Sequence, residues 1–277
     1  MAIGNIVFIT GCSSGIGYAC AVELRKRGHR VICSARKPAD VERLKAEGYE
    51  CLQLDLADSA SILQAVRELL AMTGGRVDAL FNNAAFGQPG AVEDLSREAL
   101  RNQFETNFFG THELTNLLIP IMRGQGHGRI IYNSSILGFV AMKFRGAYNA
   151  SKFALEGLAD TLRLELRGSG IHIVLIEPGP IESSFRQNAM AMYRRYIDSS
   201  HSFHRETYQT MEARLQKPGP AAPFTLPATA VAVKLIHAVE SQKPKSRYPV
   251  TFPTHLFACL KRLLPTAWLD KILVSVE

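Results

Sequence analysis

Short, almost unbroken apolar runs alternate with stretches of helical periodicity along most of this chain. Asn5 to Thr10, Arg30 to Ala35, Cys51 to Leu54, Val77 to Phe81, Arg129 to Asn133 and His172 to Ile176 predict six strands. Between them, Gly15 to Arg27, Pro38 to Glu47, Ser59 to Met72, Glu98 to Arg123 and Ala147 to Arg167 predict helices, with Ser59 as the N-cap of the third. Strands apolar on both faces, each followed by a helix, predict an α/β fold: a doubly wound parallel sheet covered on both sides, of the Rossmann type. Past Pro178 the pattern loosens. Residues 184–226 mix Phe185, Met190, Met192, Tyr193, Tyr196, Phe203, Tyr208, Met211, Leu215 and Phe224 with polar groups, and are expected to form a small inserted helical cap. A helix from Ala228 to Glu240 and a short strand near Tyr248 follow, then an apolar, basic tail over residues 254–277 broken at Pro265. Repeats and low-complexity linkers are absent, so the 277 residues read as a single domain.

Composition narrows the setting. No run of about 18 apolar residues is free of charge, and Met1 to Asn5 lack the basic patch and long apolar run expected of a signal peptide. Five scattered cysteines, Cys12, Cys20, Cys33, Cys51 and Cys259, read as reduced, buried thiols of a cytoplasmic protein. The net charge of +7 is spread along the chain, without a nucleic-acid-binding motif, so nucleic acid is not an expected partner. His201 and His204 lack a third ligand at suitable spacing, and no metal site is expected.

The chemistry lies in two places. The first predicted strand runs into Gly11-Cys12-Ser13-Ser14-Gly15-Ile16-Gly17, a glycine-rich turn opening a helix. Such a turn lets the backbone approach a pyrophosphate and offers it free helix N–H groups. An acid ending the second strand would bind ribose hydroxyls, but this chain has Ala35, then Arg36 and Lys37. Two cations there suit a 2′-phosphate, so the expected cofactor is NADP(H). Asp55, with Leu56 beside it, is the candidate for the adenine amino group. Far along the chain, Tyr148 and Lys152 stand one helical turn apart, with Ser135 thirteen residues before the tyrosine. A phenol ionises near pH ~10 and is a poor base at neutral pH, but a nearby ammonium is expected to lower that value.

Taken together, Thr10 to Gly17, Asn82-Asn83-Ala84-Ala85, Asn107, Ser135, Tyr148 with Lys152, and Pro178-Gly179 resemble the motifs of the short-chain dehydrogenase/reductase family, in order and spacing. The resemblance covers roughly residues 5–185 and implies hydride transfer between a nicotinamide and an alcohol or carbonyl carbon. It makes Tyr148 the proton donor in reduction, Ser135 the donor to the substrate oxygen and Lys152 the group that tunes Tyr148 and holds the nicotinamide ribose. It makes Asn107 the holder of a water linking Lys152 to solvent, in a helix such an asparagine can kink. Asn82 and Ala84 would flank the cofactor. Pro178, Gly179, the backbone of Ile181, and Ser183 in place of a usual threonine would meet the carboxamide. Ala85 replaces a usual glycine, tolerable at negative φ.

The aromatic and Met-rich cap, with Ile136 to Phe144 after Ser135, points to a lipophilic aldehyde, retinoid or steroid-like substrate, though such residues also serve as core. The wording resembles the branch holding retinol and 17β-hydroxysteroid dehydrogenases and bacterial aldehyde reductases. The tail is read as a lid or core packing, with a membrane surface the less favoured reading. The resemblance also implies a homodimer or homotetramer built on the helices 98–123 and 147–167. A nucleotide-sensing regulator without turnover is the alternative, disfavoured by the intact set of Asn107, Ser135, Tyr148 and Lys152.

Overall fold

The computed structural model describes residues 4–216, 219–220 and 222–275, so Met1 to Ile3, cap positions 217, 218 and 221, and the tail's last two residues lie outside the described residues. Seven parallel strands form one sheet in the order β3-β2-β1-β4-β5-β6-β7. They are β1 (Ile6–Ile9), β2 (Arg30–Ala35), β3 (Glu50–Gln53), β4 (Ala79–Asn82), β5 (Gly128–Asn133), β6 (Ile171–Glu177) and β7 (Arg247–Pro249). The apolar runs are explained by what covers them. Phe8, Leu80, Ile130 and Leu175 pack against α3 (Ser59–Thr73), α5 (Thr111–Gln125) and α6 (Gly146–Glu165). Their neighbours Val7, Ile9, Phe81, Ile131 and Val174 point the other way, onto α1 (Gly15–Lys26), α2 (Pro38–Ala46) and α9 (Thr229–Glu240). Alternation along each strand therefore buries both faces, which is the doubly wound arrangement expected. Because β4 returns to lie beside β1, the sheet's direction of winding reverses there and opens a crevice at the strands' carboxyl ends.

Two helical details differ from the sequence reading. Asp58, not Ser59, caps α3, its carboxylate accepting from Ala60 N at 2.9 Å, while the Ser59 hydroxyl donates to Glu113. The segment 98–123 is not one regular helix: α4 (Arg97–Phe104) passes through a π-helical turn, Glu105–Gly110, before α5 begins. Close packing leaves that turn little freedom, since a Cβ on Gly110 would fall 1.8 Å from the Leu56 carbonyl oxygen.

The cap is α7 (Phe185–Tyr196) and α8 (Arg205–Gln216), closed by their own core of Met190, Tyr193, Tyr208, Met211 and Leu215. Tyr208 anchors it: its hydroxyl donates to Asp94 and accepts from Ala91 N. The tail forms α10 (Phe252–Leu263) and α11 (Thr266–Ser275), and Phe257 and Leu269 pack on Val140 over the crevice. No helix among the described residues is long and apolar enough to cross a membrane. Cys12, Cys20, Cys33 and Cys51 are buried, but Cys259 is exposed, because it falls on the outer side of α10.

Candidate active site

The turn after β1 takes its shape from its glycines. Gly11 and Gly15 hold φ of +72° and +58°, and a Cβ on Gly17 would fall 2.2 Å from the Gly11 carbonyl oxygen. Only glycines fit this curl, which brings the N-terminus of α1 to the crevice. Ser14 makes no side-chain cap on that helix; its hydroxyl meets Ser184 across the crevice at 2.8 Å. The first-turn N–H groups of α1 thus have no side-chain acceptor at the cap, the arrangement that receives a phosphate.

A continuous cleft of about 1750 Å³ passes this turn. Gly11, Ser13, Ser14, Gly15 and Ile16 line it, followed by Arg36, Lys37, Asp55 and Leu56 at one end. Both cations are exposed. On its other side lie Ser135, Tyr148, Lys152, Pro178, Gly179 and Ile181, with Ala84 and Ser183 against Gly11 and Gly15 themselves. Ala85 also lines the cleft, and its φ is not positive, so its methyl group is tolerated. The residues present therefore fit an extended dinucleotide: a glycine cradle in the middle, two cations at one end and hydroxyls at the other.

Three sequence candidates stand outside the lining. Gly17 shapes the turn from behind. Asn107, in the π turn, clasps the loop after β4: its amide donates to the Phe86 carbonyl at 3.0 Å and its oxygen accepts from Phe86 N at 3.1 Å. A weaker contact joins it to Ser151. Asn82 does not flank the cleft. As the last residue of β4 it turns inward, its amide donating to Thr115 at 3.0 Å.

The next residue, Asn83, which the sequence reading passed over, faces the cleft. It donates to the carbonyls of Thr10 and Gly11 at 2.9 and 3.1 Å and accepts from the amide of Asn133 at 2.9 Å. The backbone carbonyl of Asn133 in turn accepts from the Lys152 ammonium at 2.6 Å. Two asparagines thereby tie Lys152 to the glycine turn. Adjacent asparagines look alike in sequence; strand alternation decides which of them faces the cleft.

Ser135, Tyr148 and Lys152 do converge, as expected of neighbours on β5's exit and α6. The Lys152 nitrogen lies 5.7 Å from the centre of the Tyr148 ring. The Ser135 hydroxyl acts on the phenol, while Ser134 instead faces Glu156. The electrostatics overturn one expectation. Burial pushes the Tyr148 phenol up to about 12, with Ser135 opposing, and Lys152 does not reverse it. The same burial lowers Lys152 to about 8, Glu156 partly restoring it. Lys152 is still mostly protonated at neutral pH, but its charge does not bring the phenol back below its ordinary value.

Behind Lys152 is a partly buried ion cluster that the sequence reading did not find. Glu156, one turn further on α6, and Glu177, ending β6, share the guanidinium of Arg247. Asp160 joins them at 2.6 Å. Burial and the neighbouring Glu156 raise Glu177 to about 7. Glu156 stands at the lysine-plus-four position, the one signal that could have marked it.

Comparisons with known proteins agree with this geometry. A family model described as short chain dehydrogenase matches residues 5–194. The uncharacterized oxidoreductase YbbO of Escherichia coli strain K12 is 45% identical over 267 residues, 96% of this chain and 93% of the relative. Human 17-beta-hydroxysteroid dehydrogenase type 1 is 34% identical, over 94% of this chain and 80% of the relative. Among solved structures, a short chain dehydrogenase/reductase from Burkholderia phymatum in complex with NAD superposes with a TM-score of 0.77 at 25% identity, over 94% of this chain and 92% of its own. A variant of actinorhodin polyketide ketoreductase with NADPH gives 0.72 at 26% identity, over 89% of this chain and 95% of its own.

Proposed function

The chain belongs to the short-chain dehydrogenase/reductase family, and on that premise we propose that it is an NADP(H)-dependent reductase of lipophilic aldehydes or ketones. The observation that carries the proposal is one cleft joining Arg36 and Lys37, the glycine cradle, and the Ser135, Tyr148 and Lys152 cluster. When bound, the reduced cofactor supplies the hydride that reaches the carbonyl carbon. Tyr148 gives its phenolic proton to the carbonyl oxygen, completing an alcohol. Ser135 donates a hydrogen bond to that oxygen as negative charge grows on it. Lys152, held by the Asn133 carbonyl, keeps a positive charge near the phenol and replaces its proton. Asn107 holds the loop after β4 in place.

The raised phenol supports the reductive direction. A group pushed up to about 12 is protonated at neutral pH and is therefore a donor before it is a base. The two cations after β2 support the phosphorylated cofactor, because no carboxylate stands at that point to bind free ribose hydroxyls. A lipophilic substrate is supported by apolar side chains that line the same cleft as Tyr148: Val140, Met142, Phe185, Met192, Leu256 and Phe257. The Phe185 ring stands edge-on to the phenol, 5.3 Å away. The cytoplasm and a homo-oligomer remain part of the proposed reading, from the scattered cysteines and the family resemblance.

The test is NADPH and NADH oxidation followed with decanal, retinal and steroid ketones. Turnover of at least one lipophilic carbonyl with a preference for NADPH supports the reading. No turnover with any of them, or a preference for NADH, contradicts it.

A further inference from the structure

Core packing accounts for one side of the tail. α10 turns Phe257 inward onto Val140, and Lys261 donates to the Phe139 carbonyl and stands 4.9 Å from the centre of the Phe153 ring. These contacts fix the helix about its axis. Its opposite side carries Phe252, His255, Leu256, Cys259 and Leu263, all exposed, and their steps of three and four residues put them on one helix face. Phe252 is 58% exposed and Leu263 78%. The stripe runs about 16 Å along the axis. On α11, Trp268 adds a large ring that is 65% exposed. Large apolar side chains gathered on an outer face mark a surface that meets something.

Phe224 extends the patch from the cap side. Its ring is 59% exposed and its centre lies 5.1 Å from that of Phe252. Its backbone holds a φ of +60°, which a bulky side chain adopts only where its surroundings impose it. Here the chain is pinned two residues on, where Leu226 pairs with Ile181. Leu226 N donates to the Pro180 carbonyl at 3.1 Å, and Glu182 N donates to the Leu226 carbonyl at 2.9 Å. The aromatic ring is thus held outward against the preference of its own backbone. Phe224, Phe252 and Leu256 also line the cleft that holds Tyr148, so the patch begins at the edge of that cleft.

The charges beside the patch are mostly of one sign. Residues 252–275 carry Lys261, Arg262 and Lys271 against Asp270. Arg262 flanks the stripe on α10, and Lys271 lines a small hollow together with Trp268 and Ile272. A second copy of this chain, joined through the same face, would bring cations towards cations. Anionic phospholipid suits both parts of the pattern: apolar side chains enter the acyl boundary, cations meet the headgroups, and a tryptophan sits between the two. We propose that the outer face of α10, with Phe224 and Trp268, docks this protein on anionic phospholipid surfaces and sets the edge of the cleft against the lipid. The chain lies on the bilayer, as none of its described helices is long and apolar enough to cross one. Docking stands apart from the reductase reading; the passage of a lipophilic carbonyl from the lipid into the cleft rests on it.

Co-sedimentation of the full chain with vesicles of phosphatidylcholine, alone or with phosphatidylglycerol added, reads the docking directly. Binding to the anionic vesicles is expected to be at least about fivefold tighter, the factor that one cation near such a surface supplies. The Leu263→Gln, Trp268→Gln double variant should bind at least about tenfold more weakly, since it removes two large apolar side chains from the contact. The Arg262→Gln, Lys271→Gln double variant should lose the preference for anionic vesicles. None of these four residues lines the cleft of Tyr148, so melting curves and vesicle-free turnover should match the wild type in both. Sedimentation with neither vesicle, or equally with both, overturns the docking. So does binding that survives Leu263→Gln, Trp268→Gln. A wild-type oligomer that dissociates in that variant, without vesicle binding, overturns it too, because the face would then join two copies. Decanal-dependent NADPH oxidation without vesicles reports separately on the reductase reading. Its absence beside intact docking defeats that reading and not the docking; turnover without docking does the reverse.

Discussion

Glu156 offers the sharpest test of how the buried lysine keeps its charge. Lys152 is buried, makes its hydrogen bond to a neutral carbonyl, and has a pKa lowered to about 8. The one influence working against burial is the Glu156 carboxylate, one helical turn away on α6. A carboxylate within reach of an ammonium typically moves its pKa by about one to three units. Here Arg247 shares that carboxylate, so the lower end applies: about one unit, or about 1.4 kcal/mol. Glu156→Gln keeps the shape and removes the charge. The sign follows: without the anion the protonated lysine is less favoured, its pKa falls, and the cation is lost at a lower pH. For a reductase that needs the ammonium, the alkaline limb of kcat/KM should move from about pH 8 to about pH 7. The assay is NADPH oxidation by a saturable aldehyde from pH 5.5 to 9.5, with melting curves to confirm that the variant is folded. An alkaline limb that stays in place in a folded variant would refute the reasoning. It would mean that Glu156 is protonated, or that its charge is spent on Arg247.

Two further outcomes follow from the same geometry. Arg36→Asp should weaken NADPH binding about a hundredfold, since it removes charge-assisted hydrogen bonds worth about 1.5–3 kcal/mol each, and leave NADH binding unchanged or tighter; fluorescence titration of both cofactors checks this, and an equal loss for both would remove the cofactor assignment. Glu177 is raised to about 7, so the native state takes up its proton more readily than the unfolded chain, and it contributes stability that is complete below the ordinary glutamate range and lost as pH rises through 7. Urea titrations should show the difference in stability between Glu177→Gln and wild type shifting in favour of the variant by about 2–3 kcal/mol from pH 4.5 to pH 8.

Much of this arrangement can be read from the chain, and the failures have physical reasons. The strands stand out because both faces of the sheet are covered, which leaves continuous apolar runs such as Ile6 to Ile9. The glycine turn stands out because Gly11, Gly15 and Gly17 are each required by conformation or contact. The cap of α3 falls one residue before its expected place because Asp58 and Ser59 are both good caps, and only backbone direction separates them. The π turn is hidden because one extra residue in a helical turn barely disturbs an apolar stripe, although Asn107 marks where a kink would fall. Asn82 and Asn83 are interchangeable until the register of β4 assigns one to Thr115 and the other to Gly11. The largest miss is electrostatic. Spacing places Lys152 beside Tyr148, but the depth of burial that raises the phenol and lowers the lysine belongs to the whole fold.

The central claim is that Tyr148 passes a proton to a carbonyl oxygen while the carbon accepts hydride in the same cleft. Its most direct test is transfer of deuterium from C4-deuterated NADPH to decanal in wild type and in Tyr148→Phe, with NADPH binding measured on both. Deuterium in the carbinol carbon of the wild-type product, with transfer at least a thousandfold slower in a variant that still binds NADPH, is the predicted result, a proton donor alone accounting for about 10²–10⁴ in rate. Deuterium transfer at the wild-type rate in Tyr148→Phe would contradict the account.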